Sequence, residues 1–361
     1  MKEHILLTSK IAIVMGARPQ YMKAITLINK LLNYEIIVID TGQHYDYNMS
    51  TTFLKQFKFP NVINLKVGSA SHGVQTAKII EGVEKVLLNE KPCLTIVIGD
   101  TNTTMGASIA SSKLNIPIAH IEAGCRSYDR SIPEEVNRVV ADTLSSFLFT
   151  ASEEHVRNLI LEHQFGKKYW VGDVLFDVLL MHFPRIVKEK TLDKLDICGP
   201  YYIATVHRNW NVDNPITFKT ILKALNKSPY EVIFPIHPRS EKMLRENRLE
   251  KYIGSDLRLI EPVSYYDMIN LIRKSEGVIT DSGGVQREAF YLSKPCIVLK
   301  ESTPEWKELV ECEATHLVGA DYNRIIQLLN NLPSFPRIKY YPYGKGNASA
   351  KIAKIIGDCI V

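Results

Sequence analysis

KIAIVMGARPQ, Lys10 to Gln20, decides the architecture of this chain. Five of its first six residues are apolar, two of them isoleucine and one valine, and the run stops abruptly at Gly16. A short apolar run of this kind reads as a strand buried on both faces. Pro19 suits the first turn of a helix, and helical patterning continues to Leu32. A buried strand passing through a glycine turn into a helix is the repeating step of a parallel sheet covered by helices on both sides.

The step recurs along the chain. Glu35–Ile39, Leu94–Ile98 and Ile116–His120 read as further strands, and Val74–Asn89 has helical periodicity. After a polar, helix-breaking region between Phe183 and Pro200 the pattern restarts. Tyr201–Val206, Glu231–Ile236, Leu257–Ile260, Gly277–Thr280 and Pro295–Leu299 are the strands expected there. At 361 residues the chain is too long for one ordinary core and suits two α/β domains. The expected fold is two doubly wound domains facing a central cleft, with ligands beyond the carboxyl ends of the strands.

Composition narrows the function. The apolar fraction is 45% and the charged fraction 23%, the balance of a folded cytosolic protein. A net charge of +5 without a basic tract argues against nucleic acid and fits small anionic ligands. Cys93, Cys125, Cys198, Cys296, Cys312 and Cys359 form no CxxC pair, so reduced thiols in a cytoplasm are expected rather than disulfides or structural zinc. No signal-peptide pattern and no apolar run of membrane-spanning length occurs, so no membrane partner is expected.

The chemistry-bearing residues fall just after strands. Gly16-Ala17-Arg18-Pro19 reads equally as an ordinary turn with a solvated arginine or as an anion site at a helix N-terminus. Asp281-Ser282-Gly283-Gly284 follows a strand, and exposed amides on such a turn can cradle a diphosphate, with Glu288 placed for ribose hydroxyls. Its bland alternative is an N-cap made by Asp281 or Ser282. Asp100 and Glu122 each follow a strand. Glu134 sits among Glu135, Arg126, Arg130 and Arg138, and it has a structural reading of its own. Ser131 and Glu134 match a capping box, and Glu134 and Arg138 are spaced for an i,i+4 ion pair. His207 with Arg208, and His237 with Arg239, mark two successive strand ends of the second half. No HxxxH or HExxH occurs, so no metal is expected. GxGxxG after the first strand and GxxxxGK[ST] are both missing, which leaves a redox dinucleotide or an ATPase site unsupported.

Taken in order, GARPQYMK, TGQHYDYNMS, GDTNTT, HIEAGCRS, PEEVNR, the HR after Val206, HPR, DSGGVQREA and YGKGNASAKI resemble the non-hydrolysing UDP-N-acetylglucosamine 2-epimerases. The resemblance runs along almost the whole chain. It implies two Rossmann-like domains in the glycosyltransferase-B arrangement, residues 1–185 and 186–343, the second binding UDP. A C-terminal helix in 344–361 would pack back on the first. It implies interconversion of UDP-GlcNAc and UDP-ManNAc, usually by a homodimer, without a cofactor, in surface polysaccharide synthesis. Carried over, Arg18, Ser282, Gly283, Gly284 and Glu288 would hold UDP. Lys23 and Arg138 would lie near diphosphate and sugar, and His237 would line the cleft. Asp100, Glu122 and Glu134 would be the catalytic carboxylates and His207 a further catalytic contact. The chain differs from many members at Gln20, at Ser71–Thr76 and at Glu301–Trp306. GARPQ and the tryptophan segment also look like relatives that epimerise UDP-2,3-diacetamido-glucuronate. Glycosyltransferases share the fold, and a hydrolysing epimerase or a non-catalytic nucleotide-sugar-binding protein are the remaining alternatives.

Overall fold

A computed structural model describes residues 9–43 and 59–360. The chain divides into two compact units, Met1–Val178 with Tyr341–Val361, and Leu179–Tyr340.

The first unit is built on seven parallel strands: β1 (Lys10–Met15), β2 (Glu35–Asp40), β3 (Val62–Asn64), β4 (Leu94–Ile98), β5 (Ile118–Ile121), β6 (Phe147–Thr150) and β7 (Lys167–Trp170). Their order is β3-β2-β1-β4-β5-β6-β7, so the direction of chain progression reverses between β1 and β4. Alternation splits the strand residues between two faces. Ile11, Ile13, Met15, Ile96 and Ile98 meet the helix Arg18–Ile28 through Tyr21, Ala24 and Leu27. Ala12, Val14, Ile37 and Val97 meet Ile79, Val83, Ala107 and Ala110 on the other side. Both faces are covered, which is why these strands read as unbroken apolar runs.

The second unit repeats the plan with β8 (Tyr201–Thr205), β9 (Glu231–Pro235), β10 (Leu257–Ile260), β11 (Gly277–Thr280), β12 (Cys296–Val298) and β13 (Thr315–Leu317), ordered β10-β9-β8-β11-β12-β13. The reversal lies between β8 and β11, whose register pairs Thr205 with Thr280. Ligands of such sheets bind at this switch point.

The helix Ala348–Cys359 completes the first unit. Ile352 and Ile356 enter its core. The Asp177 carboxylate accepts from the Ala348 and Ser349 amides at 3.1 and 2.6 Å, serving the helix N-terminus in place of a side chain from Asn347. Burial pushes the Asp177 carboxyl up, and those amides oppose it.

The expected strands are all present, within a residue or two at their ends. Four strands were not expected: β3, β6, β7 and β13, each of three or four residues. The first helix stops at Ile28 rather than Leu32.

Gly124 follows β5 with φ 76°, and a Cβ there would lie 2.3 Å from the His155 carbonyl oxygen. The obstacle is backbone and cannot rotate away. Gly124→Ala is therefore expected to lower stability by roughly 2–4 kcal/mol, seen as a lower urea midpoint at unchanged slope. An unchanged midpoint would contradict this close approach.

Candidate functional site

In the first unit the residues of interest sit at the carboxyl ends of β1, β4 and β5. The turn after β1 is fixed by Gln20. Its Oε1 accepts from the Gly16 and Ala17 amides at 2.8 and 3.0 Å. Its Nε2 donates to the Ile98 carbonyl, at the end of β4, at 2.7 Å. A carboxylate could accept the first two bonds but not donate the third, so the amide at this position joins the Arg18 turn to the Asp100 turn.

Asp100 follows Gly99, whose φ is 70°, and Glu122 follows β5 with φ 69°. The latter is a left-handed conformation that non-glycine residues seldom adopt. The Glu122 carboxylate lies close to this glycine, because a Cβ built on Gly99 would be 3.4 Å from Glu122 Oε2. The two acid-bearing turns are thus neighbours. Each acid has a cation: Lys23 Nζ lies 2.6 Å from Glu122, and Arg138 lies 2.5 Å from Asp100. Lys23, Glu122 and Arg138 expose only about a tenth of their side chains.

Glu134 lies in the first turn of the helix Pro133–Leu144, half-buried. The capping box does not form. The N-cap is Ile132, without a side-chain cap bond, because Asp129 accepts the Ser131 amide in a turn that ends before the helix. Glu135, one residue on, ties the segment down by accepting from the Ser127 and Tyr128 amides at 2.8 and 3.0 Å. Arg138 reaches Glu135 at 3.1 Å as well as Asp100.

The second unit presents its own group at the ends of β8, β9 and β11. Asp281 is buried and does not cap the following helix. It turns to the β8 end, accepting from the His207 and Arg208 amides at 3.1 and 2.9 Å and from the Asn211 side chain at 3.1 Å. Nor does Ser282, the N-cap of the helix Gly283–Tyr291, make a side-chain cap bond. A helix start without a side-chain cap leaves amides available to an anion. Glu288 is buried on the same helix. Trp306 lies against the turn, its ring centroid 3.9 Å from the Arg287 guanidinium.

His207 and His237 stack with centroids 5.2 Å apart. Burial lowers the pKa of His207, with Arg208, His237 and Arg239 acting the same way and Asp281 against them. Burial and Arg239 lower His237 too. His237 Nδ1 accepts the Arg239 amide at 3.2 Å and so carries no proton there.

The first unit thus brings Lys23, Asp100, Glu122 and Arg138 together, and the second brings His207, His237 and the Ser282–Gly284 turn to one sheet end. Arg18 opens the helix after β1. His44 of the TGQH loop lies outside the described residues. Sequence reasoning missed the clamps: Gln20, Asp281 in its real role, and the buried His120–Asp142 pair. For Gln20, His120 and Asp281 the common signal is a polar residue at or just after a strand; Asp142 lies in the helix Pro133–Leu144. Among the described residues no group of three or more His, Cys, Asp or Glu is arranged to hold a metal ion, and no helix is long and apolar enough to cross a membrane.

The family model described as UDP-N-acetylglucosamine 2-epimerase matches residues 28–357. The chain belongs to this family. Within the 2-epimerases it is 42% identical to a UDP-N-acetylglucosamine 2-epimerase homolog of Methanococcus maripaludis, over 96% of this chain and 99% of that protein. It is 37% identical to the UDP-2,3-diacetamido-2,3-dideoxy-D-glucuronate 2-epimerase of Pseudomonas aeruginosa, with the same coverage of both chains. Among solved structures, the Methanocaldococcus jannaschii UDP-GlcNAc 2-epimerase in complex with UDP-GlcNAc and UDP superposes with a TM-score of 0.87 at 36% identity, covering 97% of this chain and 99% of that one. The likeness therefore extends over both α/β units of this 2-epimerase.

The two glycines of the turn in this 2-epimerase separate by their surroundings. A Cβ on Gly283 would lie 2.7 Å from Trp306 Nε1, whereas one on Gly284 meets nothing nearer than Ser282 Oγ at 3.8 Å. Gly283→Ala is expected to cost roughly 1–3 kcal/mol of stability. Gly284→Ala should be neutral or stabilising by up to about 1 kcal/mol. Equal urea midpoints for the two variants would refute the assignment of Trp306 as the neighbour of this turn.

Proposed function

We propose that the protein is a non-hydrolysing nucleotide-sugar epimerase that interconverts UDP-GlcNAc and UDP-ManNAc. The observation that carries the reading is the pair of adjacent strand ends bearing Asp100 and Glu122, each carboxylate matched to a largely shielded cation. The C2 proton of the sugar has no neighbouring carbonyl and is too weakly acidic for simple removal. Elimination solves this. The C2–H electrons become the C1–C2 double bond, the C1–O bond breaks toward UDP, and a carboxylate takes the proton. Carbon 2 of the resulting 2-acetamidoglucal is planar. UDP then adds back at C1 as a proton arrives on the other face of C2.

Two faces require at least two acid/base groups, and we assign Asp100, Glu122 and Glu134 to that task. The leaving diphosphate requires donors that are already oriented. Arg18, the amides of Gly283 and Gly284, and His207 are the proposed set, and one such donor can contribute roughly 3 kcal/mol. Glu288 is assigned to the ribose hydroxyls, with Ser282 and His237 as further contacts. The reading includes a homodimer working in the cytoplasm and supplying surface polysaccharide synthesis. The family resemblance supports the dimer and the pathway. Six free cysteines suit a reducing compartment.

Incubation with UDP-GlcNAc in heavy water tests the reaction. Deuterium is expected at C2 of the recovered nucleotide sugar, with UDP-ManNAc formed. Binding without exchange, or net release of free sugar, would overturn the reading. In the same assay Glu134→Gln is expected to lose turnover by about 10²-fold or more while still binding UDP. A near-normal rate would leave Glu134 a structural residue.

His207 supplies a second test. Its pKa is held low in the free protein, so near pH 7 it is largely neutral. A diphosphate placed beside it favours the imidazolium. Binding of UDP-GlcNAc, whose diphosphate does not titrate in this range, is therefore expected to take up protons at pH 7. Calorimetry in buffers of different ionisation enthalpy measures this, and His207→Asn should remove most of it. Proton release, or uptake unchanged in the variant, would place His207 away from the diphosphate.

A further inference from the structure

His120 is fully buried on β5, and its two ring nitrogens face two acceptors. Nε2 is 2.7 Å from the Gly99 carbonyl oxygen, and Nδ1 is 2.7 Å from Asp142 Oδ1. A carbonyl only accepts. Asp142 also receives the Gly124 amide at 3.0 Å and the Arg126 guanidinium at 2.7 Å, which are roles for a carboxylate. Burial works against the charge of Asp142, but His120 and Arg126 outweigh it and hold its pKa low. Each ring nitrogen thus faces an oxygen acceptor, so the ring bridges the Gly99 carbonyl and the Asp142 carboxylate.

The placement of the ring is what matters. Gly99 is the left-handed residue immediately before Asp100, and its amide donates to the Ile121 carbonyl at 2.9 Å, immediately before Glu122. The ring therefore holds the Gly99–Asp100 peptide unit, and the bond to Ile121 holds the unit before it. Through Asp142 it is anchored to Gly124, two residues beyond Glu122, and through Arg126 to Glu162, whose carboxylate takes two bonds from that guanidinium at 2.8 and 2.7 Å. No ligand contact is needed for any of this.

We infer that His120 is a positioning residue for the epimerisation. By donating to the Gly99 carbonyl from its fixed place on β5, it sets the Asp100 turn at a fixed distance from the Glu122 turn. The inference rests on the proposed roles of those two acids. It assigns His120 no contact with substrate.

Three substitutions test it. An asparagine at position 120 can donate to Asp142 from about the Nδ1 position but cannot reach Gly99. A glutamine can place its amide near the Nε2 position and keep the Gly99 bond. His120→Asn is expected to lower kcat about 10²-fold, the scale of a misplacement near 1 Å, with KM for UDP-GlcNAc and Kd for UDP within about threefold of wild type. His120→Gln is expected to recover most of kcat. Rates are normalised to UDP-binding stoichiometry, so that unfolded protein does not count as lost turnover. Unchanged kcat in His120→Asn, equal losses in the two variants, or a loss shared by KM and Kd would overturn the inference. If both variants fail to fold, Asp142→Asn replaces them. Its amide can donate to Nδ1, leaving Nε2–H on Gly99, so kcat should stay within about tenfold of wild type. A loss of 10²-fold or more in this variant would show that the Asp142 carboxylate, not the bond from the ring to Gly99, is what matters, and would overturn the inference. A wild-type protein that binds UDP without C2 exchange would defeat the epimerase reading instead, whatever the variants do.

Discussion

Where the order of a parallel sheet reverses, chains leave neighbouring strands in opposite directions, and backbone groups beyond the last ladder bond are buried without a strand to pair with. Leaving one such group unsatisfied costs about 1–3 kcal/mol. The rest of this structure depends on how those groups are met. Gln20 meets the Ile98 carbonyl and two amides of the β1 turn. His120 meets the Gly99 carbonyl. Asp281 meets two amides beyond β8. Gln20 crosses from the helix after β1 to the end of β4, His120 from β5 to the turn after β4, and Asp281 from the turn after β11 to the one after β8. A site built this way has its spacing set by hydrogen bonds to the backbone and not by the mobility of loops.

Much of this plan was legible in the chain. Strands covered on both faces leave uninterrupted apolar runs, and KIAIVM, LTIVI and GVIT could be bounded from that alone. The edge strands of the first sheet could not. β3 is partly exposed, and β7 carries Lys167 and Lys168, so neither shows the run that burial on both faces imposes. The acids were legible because they follow strands, but their partners were not. Glu134 and Arg138 have ideal helical spacing, yet Arg138 reaches Asp100, 38 residues away, and Glu135. Capping readings failed for a related reason. Ser131 and Asp281 have the right chemistry and position, but Asp129 ends the first turn early and the amides beyond β8 take the second carboxylate. Spacing reports which residues can meet locally. It cannot report a competing partner brought in by the fold.

Glu122 shows how strain and charge are combined. A non-glycine residue at φ 69° costs on the order of 1–3 kcal/mol, and its carboxylate is largely removed from water beside Lys23. Such a pair is a poor source of stability, because desolvation offsets most of the attraction. Removing one partner is a different matter, as it leaves a lone charge inside. The pair is therefore best understood as fixing where a carboxylate points, at some expense in folding free energy.

If the sugar lies against these acids as proposed, the same charges bear on its C6 substituent. Four acids, Asp100, Glu122, Glu134 and Glu135, lie on these turns and this helix, and Lys23 and Arg138 are engaged with three of them. A sugar bearing its own carboxylate at C6 would enter a region whose cations are already committed. Two like charges 4 Å apart repel by about 4 kcal/mol at an effective dielectric of 20, close to a thousandfold in binding. A glucuronate substrate therefore demands a further cation directed at C6, and neither Lys23 nor Arg138 can serve without abandoning an acid. A sugar with a neutral hydroxymethyl group makes no such demand. On the proposed placement this balance favours UDP-GlcNAc over its diacetamido-glucuronate analogue, although relatives of both kinds match the chain equally well.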